Sequence, residues 1–209
     1  AMIRSLVFTI VLTVVYVAFA LVFSLLLAYP LSRKKLKGRA GVMFMVVFTM
    51  YFSAGMMPSY MLIQKLGMIN SVWSLILPVL IDPFQLIIMK TYLESLPESL
   101  VESAILDGCN HYKILFYIIV PIAKPMIATI VLFYAVGRWN SFQDALFYIN
   151  NVDLYPLQLK LNELIASATI TLDIEMLAGD FVIPESLQSA ALVFATIPIL
   201  IVYPWLQKY

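Results

Sequence analysis

This 209-residue chain has a single cysteine, Cys109, and a single histidine, His111. One cysteine excludes an internal disulfide and any multi-cysteine metal site, and with one histidine there is no zinc constellation to assemble. Charge is also scarce. Acidic and basic residues make up 12% of the chain and leave a net charge of +1. That balance offers no electrostatic footprint for nucleic acid. No G-x-x-x-x-G-K-[ST] phosphate loop is present, so the chain has no such means of harvesting ATP itself. Clustered His, Asp or Cys, which a membrane-embedded enzyme would need, are missing too. No internal repeat or low-complexity segment occurs.

What the chain has in abundance is apolar surface: 63% of residues are hydrophobic and the mean hydropathy is +0.95. A soluble domain of this size cannot hide that much, so its solvent is lipid. Five stretches are long enough to cross about 30 Å of hydrocarbon at about 1.5 Å per residue. They are Ser5–Tyr29, Gly41–Leu62, Val72–Thr91, Pro125–Phe142 and Ser186–Leu206. The first is too long for a signal peptide, and Pro30-Leu31-Ser32-Arg33 follows it instead of a small-residue cleavage site. The expected fold is all-α: a polytopic membrane protein forming a single transmembrane domain over residues 1–209. Two long loops interrupt it, at 92–124 and 143–185.

Sidedness follows from the basic residues. Placing Arg33, Lys34, Lys35, Lys37 and Arg39 in the cytoplasm puts nine of the thirteen Lys and Arg inside, with Lys90, Lys113, Lys124 and Lys208. Arg4, Lys65, Arg138 and Lys160 fall outside. Loop 92–124 is then cytoplasmic and loop 143–185 extracytoplasmic.

The cytoplasmic loop is the most informative segment. Ser95-x-x-Glu98 has the form of a capping box, with Pro97 in the first turn. It predicts a helix of about 12 residues that stops at Gly108 as a left-handed C-cap. Leu96, Leu100, Val101, Ala104 and Ile105 form an apolar stripe, with Glu94, Glu98, Glu102 and Asp107 around it. Asn110 is placed to cap a second segment, His111 to Val120, which Pro121 ends. An amphipathic helix of this kind either docks in a partner's groove or lies on the membrane surface. Its acidic character opposes adsorption to anionic headgroups.

The run Glu102-Ser103-Ala104-Ile105-Leu106-Asp107-Gly108, followed after nine residues by Ile118-Ile119-Val120-Pro121, resembles the EAA loop of the membrane subunits of binding-protein-dependent ABC importers. Ser103 and Val120 depart from the usual Ala and Leu. The resemblance extends over nearly the whole chain and is nearest to the maltose-type carbohydrate class. It implies a bacterial-type cell-membrane permease with six spans, preceded by one helix more than is visible here. It also implies these partners: a second permease, two nucleotide-binding ATPase subunits, an extracytoplasmic solute-binding protein, a carbohydrate, and the membrane lipid around this chain. ATP and magnesium would sit on the ATPases, with no cofactor on this non-catalytic chain. Coupling would run through Glu98, Leu100, Glu102, Ser103, Ala104, Asp107, Gly108, His111 and Pro121. Glu102 would pair with a basic group of the ATPase, and Gly108 would turn the backbone after the docked helix.

Inside the membrane, Asp82-Pro83 reads as an N-cap and first helical residue after a break near Pro78. Asp82 is equally a candidate for the substrate pathway. The run Arg138-Trp139-Asn140-Ser141-Phe142-Gln143-Asp144 fits an ordinary interfacial aromatic belt. It also fits a sugar site, in which Trp139 stacks on a pyranose while Asn140, Gln143 and Asp144 meet hydroxyls. The resemblance brings the second alternative closer, since carbohydrate permeases often show a Trp-Asn-x-Phe run there. Beyond it, Leu157, Leu161, Leu164, Ile165 and Ala168 recur at helical spacing, whereas 157–161 also alternates like a strand. The same resemblance implies that this outer loop faces the binding protein. A permease for a non-sugar solute and a secondary transporter are the rival functions. The latter would want several paired intramembrane ionisable groups, and Asp82 is a single one.

Overall fold

The computed structural model of the chain describes residues 2–166 together with Ser189, Val193 and Thr196. The expected span Ser186–Leu206 and most of the distal outer loop lie outside the described residues. Those described are helical, with no strand among them. The helices are α1 (Met2–Ser32), α2 (Arg39–Tyr51), α3 (Met56–Lys65), α4 (Pro83–Ser95) and α5 (Ser99–Leu106). They continue as α6 (His111–Ile122), α7 (Lys124–Asn140), α8 (Gln143–Tyr148) and α9 over 157–166. Short 3₁₀ turns occupy Val72–Leu75, Leu77–Val79 and Val152–Leu154.

α1 is the one described helix that by itself is long and apolar enough to cross a membrane. Its 31 residues reach about 46 Å at about 1.5 Å each. Large apolar residues occupy both of its faces, and the buried one also carries Ser5, Thr9 and Ser24. Thr9, Leu12, Tyr16, Ala20, Ser24, Ala28 and Leu31 are buried, whereas Val7, Val11, Val14, Phe19, Phe23 and Leu26 are exposed. That is the logic of lipid as solvent. Greasy side chains gain nothing by leaving it, so close approach of small residues and hydrogen bonds select the packed face.

The second and third expected spans are each broken, whereas the fourth, Pro125–Phe142, is the single helix α7, bent only against the α6 segment expected in the loop. Counting every bent pair as one span gives up to four crossings among the described residues. Between α2 and α3 the chain turns at Gly55, whose φ of +84° is costly for any residue with a Cβ. Around Pro78 the backbone drops to 3₁₀ turns. It restarts at Asp82, whose carboxylate accepts from the Gln85 amide at 2.9 Å with Pro83 at the first helical position. The N-cap reading of Asp82 is the one the geometry adopts, and a cap of this kind contributes about 1 kcal/mol. α6 and α7 meet at an 86° bend at Ala123.

The chain divides into two compact units. The first comprises Ala1–Val14, Tyr60–Leu75 and the chain from Ala135. Its core holds Trp139, Leu157 and Leu161, with Met2 and Leu6 packed against them. Residues 157–166 are helix, not strand, and Thr9 fixes their start: its hydroxyl accepts from the Leu157 amide at 2.8 Å. Asn70, at φ +61°, pins the neighbouring turn. Its Oδ1 accepts from the amides of Asn150 at 2.6 Å and Asn151 at 3.0 Å, and its own amide donates to the Tyr148 carbonyl. The second unit comprises Val15–Ser59 and Ile76–Tyr134. There Tyr16 donates to the Val79 carbonyl at 3.0 Å, Ser24 and Tyr134 share a buried hydrogen bond of 2.7 Å, and the Tyr16 and Tyr134 rings meet edge to face. These bonds satisfy hydroxyls that lipid cannot.

Candidate functional site

The acidic loop after α4 differs from expectation at its start. The capping box does not form: Ser95 is the last residue of α4, its hydroxyl donating back to the Tyr92 carbonyl. Glu98 occupies the N-cap position of α5 without a side-chain cap bond. The cause is Pro97, which forces Leu96 into an extended conformation (ψ 142°) and separates the two halves of the box. α5 is accordingly shorter than expected, at eight residues.

Its end is as expected. Gly108 takes φ +78°, its amide donates to the Ile105 carbonyl and the Cys109 amide reaches back to Ala104, both at 3.0 Å. This is a Schellman closure, which satisfies carbonyls the helix would otherwise leave open. Asn110 then caps α6, accepting from the Lys113 amide at 2.9 Å. Pro121 does not end that segment. A π-turn over Ile114–Ile119 widens the helix, with the Val120 amide reaching Leu115, and α6 continues to Ile122. In a regular helix the proline ring would press on the carbonyl four residues back, and the wider turn relieves it.

The stripe on α5 is not one continuous docking face. Val101 and Ala104, each 5% exposed, turn into the unit, and Leu96 and Leu100 are half-buried. Ile105 and Leu106 face outward, Leu106 at 88% exposure. Glu98, Glu102, Ser103 and Asp107 are exposed around them. Ser103 bonds back to the Ser99 carbonyl at 2.9 Å, and Glu102 lies 3.6 Å from Lys35 in an exposed pair. Such a pair holds little energy, so either partner can exchange it for another.

The long-range contacts at the foot of α1 have no signal in the sequence, because they join positions 82 and 55 residues apart. The Tyr29 hydroxyl and His111 Nδ1 share a hydrogen bond of 3.2 Å, and the Arg33 guanidinium lies 4.8 Å from the centre of the Tyr29 ring. Arg39 bonds Glu94, which also receives Lys90. α6 is thereby tied by a side chain to α1, and α4 to the start of α2. A cleft of about 680 Å³ opens here, with Glu98, Glu102 and His111 on its rim.

The substrate-pathway candidates divide between the two units. Asp82, in the second, is committed to its cap. In the first, Trp139 is 7% exposed and seated against Leu157 and Leu161, so its ring packs as core. Asn140 and Gln143 are exposed. Asp144 pairs with Arg138, whose side chain is only 2% exposed, and it also accepts from the Ser141 hydroxyl and the Ala145 amide. Burial, and after it the Asp144 charge, raises the Tyr148 phenol above its usual pKa, so it stays a neutral group. No group of three or more His, Cys, Asp or Glu able to hold a metal occurs among the described residues.

Comparison with known proteins matches residues 3–209 to a family described as binding-protein-dependent transport system inner membrane component. The chain is 44% identical, over 99% of its length and 73% of the relative's, to the polygalacturonan/rhamnogalacturonan transport system permease protein YtcP of Bacillus subtilis. It is also 44% identical to protein LplC of the same organism, over 99% of this chain and 70% of that one. Among solved structures it resembles a chain of a bacterial ABC transporter involved in the import of the acidic polysaccharide alginate. There the TM-score is 0.88 at 34% identity, covering 99% of this chain and 74% of that one. With its broken helices, its Gly108-closed α5 and a match along almost its whole length, this chain belongs to the inner-membrane components of binding-protein-dependent transport systems.

Proposed function

We propose that the chain is a permease subunit of an ABC importer for oligo- or polysaccharides. It forms half of the translocation pathway and couples to a separate ATPase through α5. The observation that carries the coupling is α5 itself. This is a short helix with Val101 and Ala104 anchored inward, Ile105 and Leu106 presented outward, and a Schellman turn at Gly108 that frees the following chain. An exposed apolar pair on a firmly anchored helix fits a groove in a partner protein. Movement of that partner would pass from α5 along the chain to α6, and through Tyr29–His111 into the foot of α1.

The carbohydrate assignment is supported by the similarity to YtcP and to the alginate importer. The complete machine needs a second permease, two ATPase subunits that hold ATP and magnesium, and an extracytoplasmic binding protein. This chain performs no covalent step and holds no cofactor. Solute-loaded binding protein and ATP would each shift alternating access by their differential affinity for its two states. Asp82, Trp139, Asn140, Gln143 and Asp144 stay candidates for the pathway, with Asn140 and Gln143 the freest to meet a hydroxyl.

Copurification with the neighbouring subunits, then ATPase assays across a panel of glycans, tests this. Stimulation by an oligo- or polysaccharide with its binding protein is expected. Solute movement by the chain without an ATPase would overturn it.

A further inference from the structure

The cleft at the foot of α1 shares Tyr29, Glu98, Glu102, Ile105 and His111 with the proposed coupling path, but its remaining lining has no part in coupling. Leu26, Pro30, Leu36, Ile105 and Leu115 give it a mainly apolar floor, and Arg33, Lys34 and Lys35 line its other side. Leu26 lies six residues before the end of α1, about 9 Å deeper along the helix. Lys34 and Lys35 lie beyond that end. The cleft therefore runs from the depth of the acyl chains to the level of the headgroups.

Arg33 completes the pattern. Its Nε and Nη2 are buried and have no hydrogen-bond partner among the described residues. Those two N–H groups form one side of the guanidinium fork, which suits two oxygens of a phosphate or carboxylate. The opposing charges are Glu98 and Glu102. Glu102 lies 3.6 Å from Lys35, so the cleft's lining carries two further cations, Arg33 and Lys34, against the one further acid, Glu98.

We propose that this cleft binds one anionic phospholipid, its phosphate on Arg33 and Lys34 and the start of an acyl chain on the apolar floor. A water-soluble acidic segment of a partner would satisfy the cations but not the floor at the depth of Leu26. A neutral lipid would satisfy the floor but not the cations. An anionic lipid satisfies both. Held there, it would brace α5 against α1, because the same cleft is walled by Val101 and Ile105. The inference rests on the proposed function only in placing α5 on the cytoplasmic side of the membrane.

The test uses the assembled transporter, stripped of lipid in detergent and titrated with phosphatidylglycerol, phosphatidylcholine or sn-glycerol 3-phosphate under native mass spectrometry. One phosphatidylglycerol per copy of this subunit is expected, with about thirtyfold weaker retention in Arg33→Gln/Lys34→Gln. Lys113→Gln/Lys124→Gln, an equal loss of charge at exposed positions outside the cleft, should retain it. Glu98→Gln should tighten retention. If the Arg33 variant does not assemble, Lys34→Gln alone should weaken binding by about fivefold. Equal retention of the two lipids, equal loss in both double variants, or binding of glycerol phosphate as tight as the lipid would each overturn the proposal. So would crosslinks from position 34 to the ATPase alone. ATPase copurification is scored in parallel: its failure in the unaltered protein counts against coupling by α5, whereas its success with no lipid preference counts against the lipid alone.

Discussion

The Tyr29 hydroxyl lies 3.2 Å from His111 Nδ1, so the last turn of the first helix is bonded to the first residue of α6. The two positions are 82 residues apart in the chain, and one hydrogen bond makes them neighbours. Tyr29 holds the Arg33 guanidinium over its ring as well. It therefore gathers α1, α6 and the basic loop around a single side chain.

Removing this bond should loosen coupling more than it unfolds the protein. Tyr29→Phe and His111→Ala are each expected to cost about 1 kcal/mol in thermal stability. The double variant should cost less than their sum, and solute-stimulated ATPase activity should fall while basal hydrolysis persists. Strict additivity in the double-mutant cycle would mean the bond contributes nothing in the assembled protein.

Gly108 separates a backbone requirement from a docking requirement. Nothing lies within 4 Å of a Cβ built there, so the chain itself has room for a side chain and objects only through φ +78°. Gly108→Asn, which tolerates that conformation, should preserve assembly. Gly108→Ala should cost about 1 kcal/mol of local stability. Gly108→Trp should abolish ATPase copurification while membrane insertion survives. Normal hydrolysis in the Trp variant would remove α5 from the coupling path.

Leu106 and Val101 sit on opposite sides of α5, and the same substitution should act differently on each. Leu106→Asp, at a position 88% exposed, should leave thermal stability within about 0.5 kcal/mol and still prevent ATPase binding. Val101→Asp, 5% exposed, should destabilise the chain itself by burying a carboxylate. Differential scanning fluorimetry beside a pull-down distinguishes the two.

The Arg138–Asp144 pair should resist removal of one partner more than removal of both. Asp144→Ala removes a carboxylate paired with a nearly buried guanidinium and is expected to lower thermal stability by about 3 kcal/mol. Arg138→Met/Asp144→Ala should recover much of that loss. If Asp144 instead contacts solute, the double variant will regain stability without regaining transport.

Amino-acid order alone settled what is decided within a few residues. Lipid as solvent, the break at Pro78, the Asp82-Pro83 cap, the Gly108 stop and the Asn110 cap each depend on one side chain or one φ meeting a nearby amide. The Ser95–Glu98 box failed at the same short range, because Pro97 overrode a pattern that looked complete. Facing was decided only by the tertiary structure. α5 carries apolar residues on more than one of its sides, so hydropathy could not say that Leu106 points away while Val101 points in. Nor could it say that Trp139 belongs to a core with Leu157 and Leu161. The strand-like alternation at 157–161 became helix because Thr9, almost 150 residues earlier, caps its first amide. The cleft beneath α1 likewise exists only because Tyr29 and His111 meet.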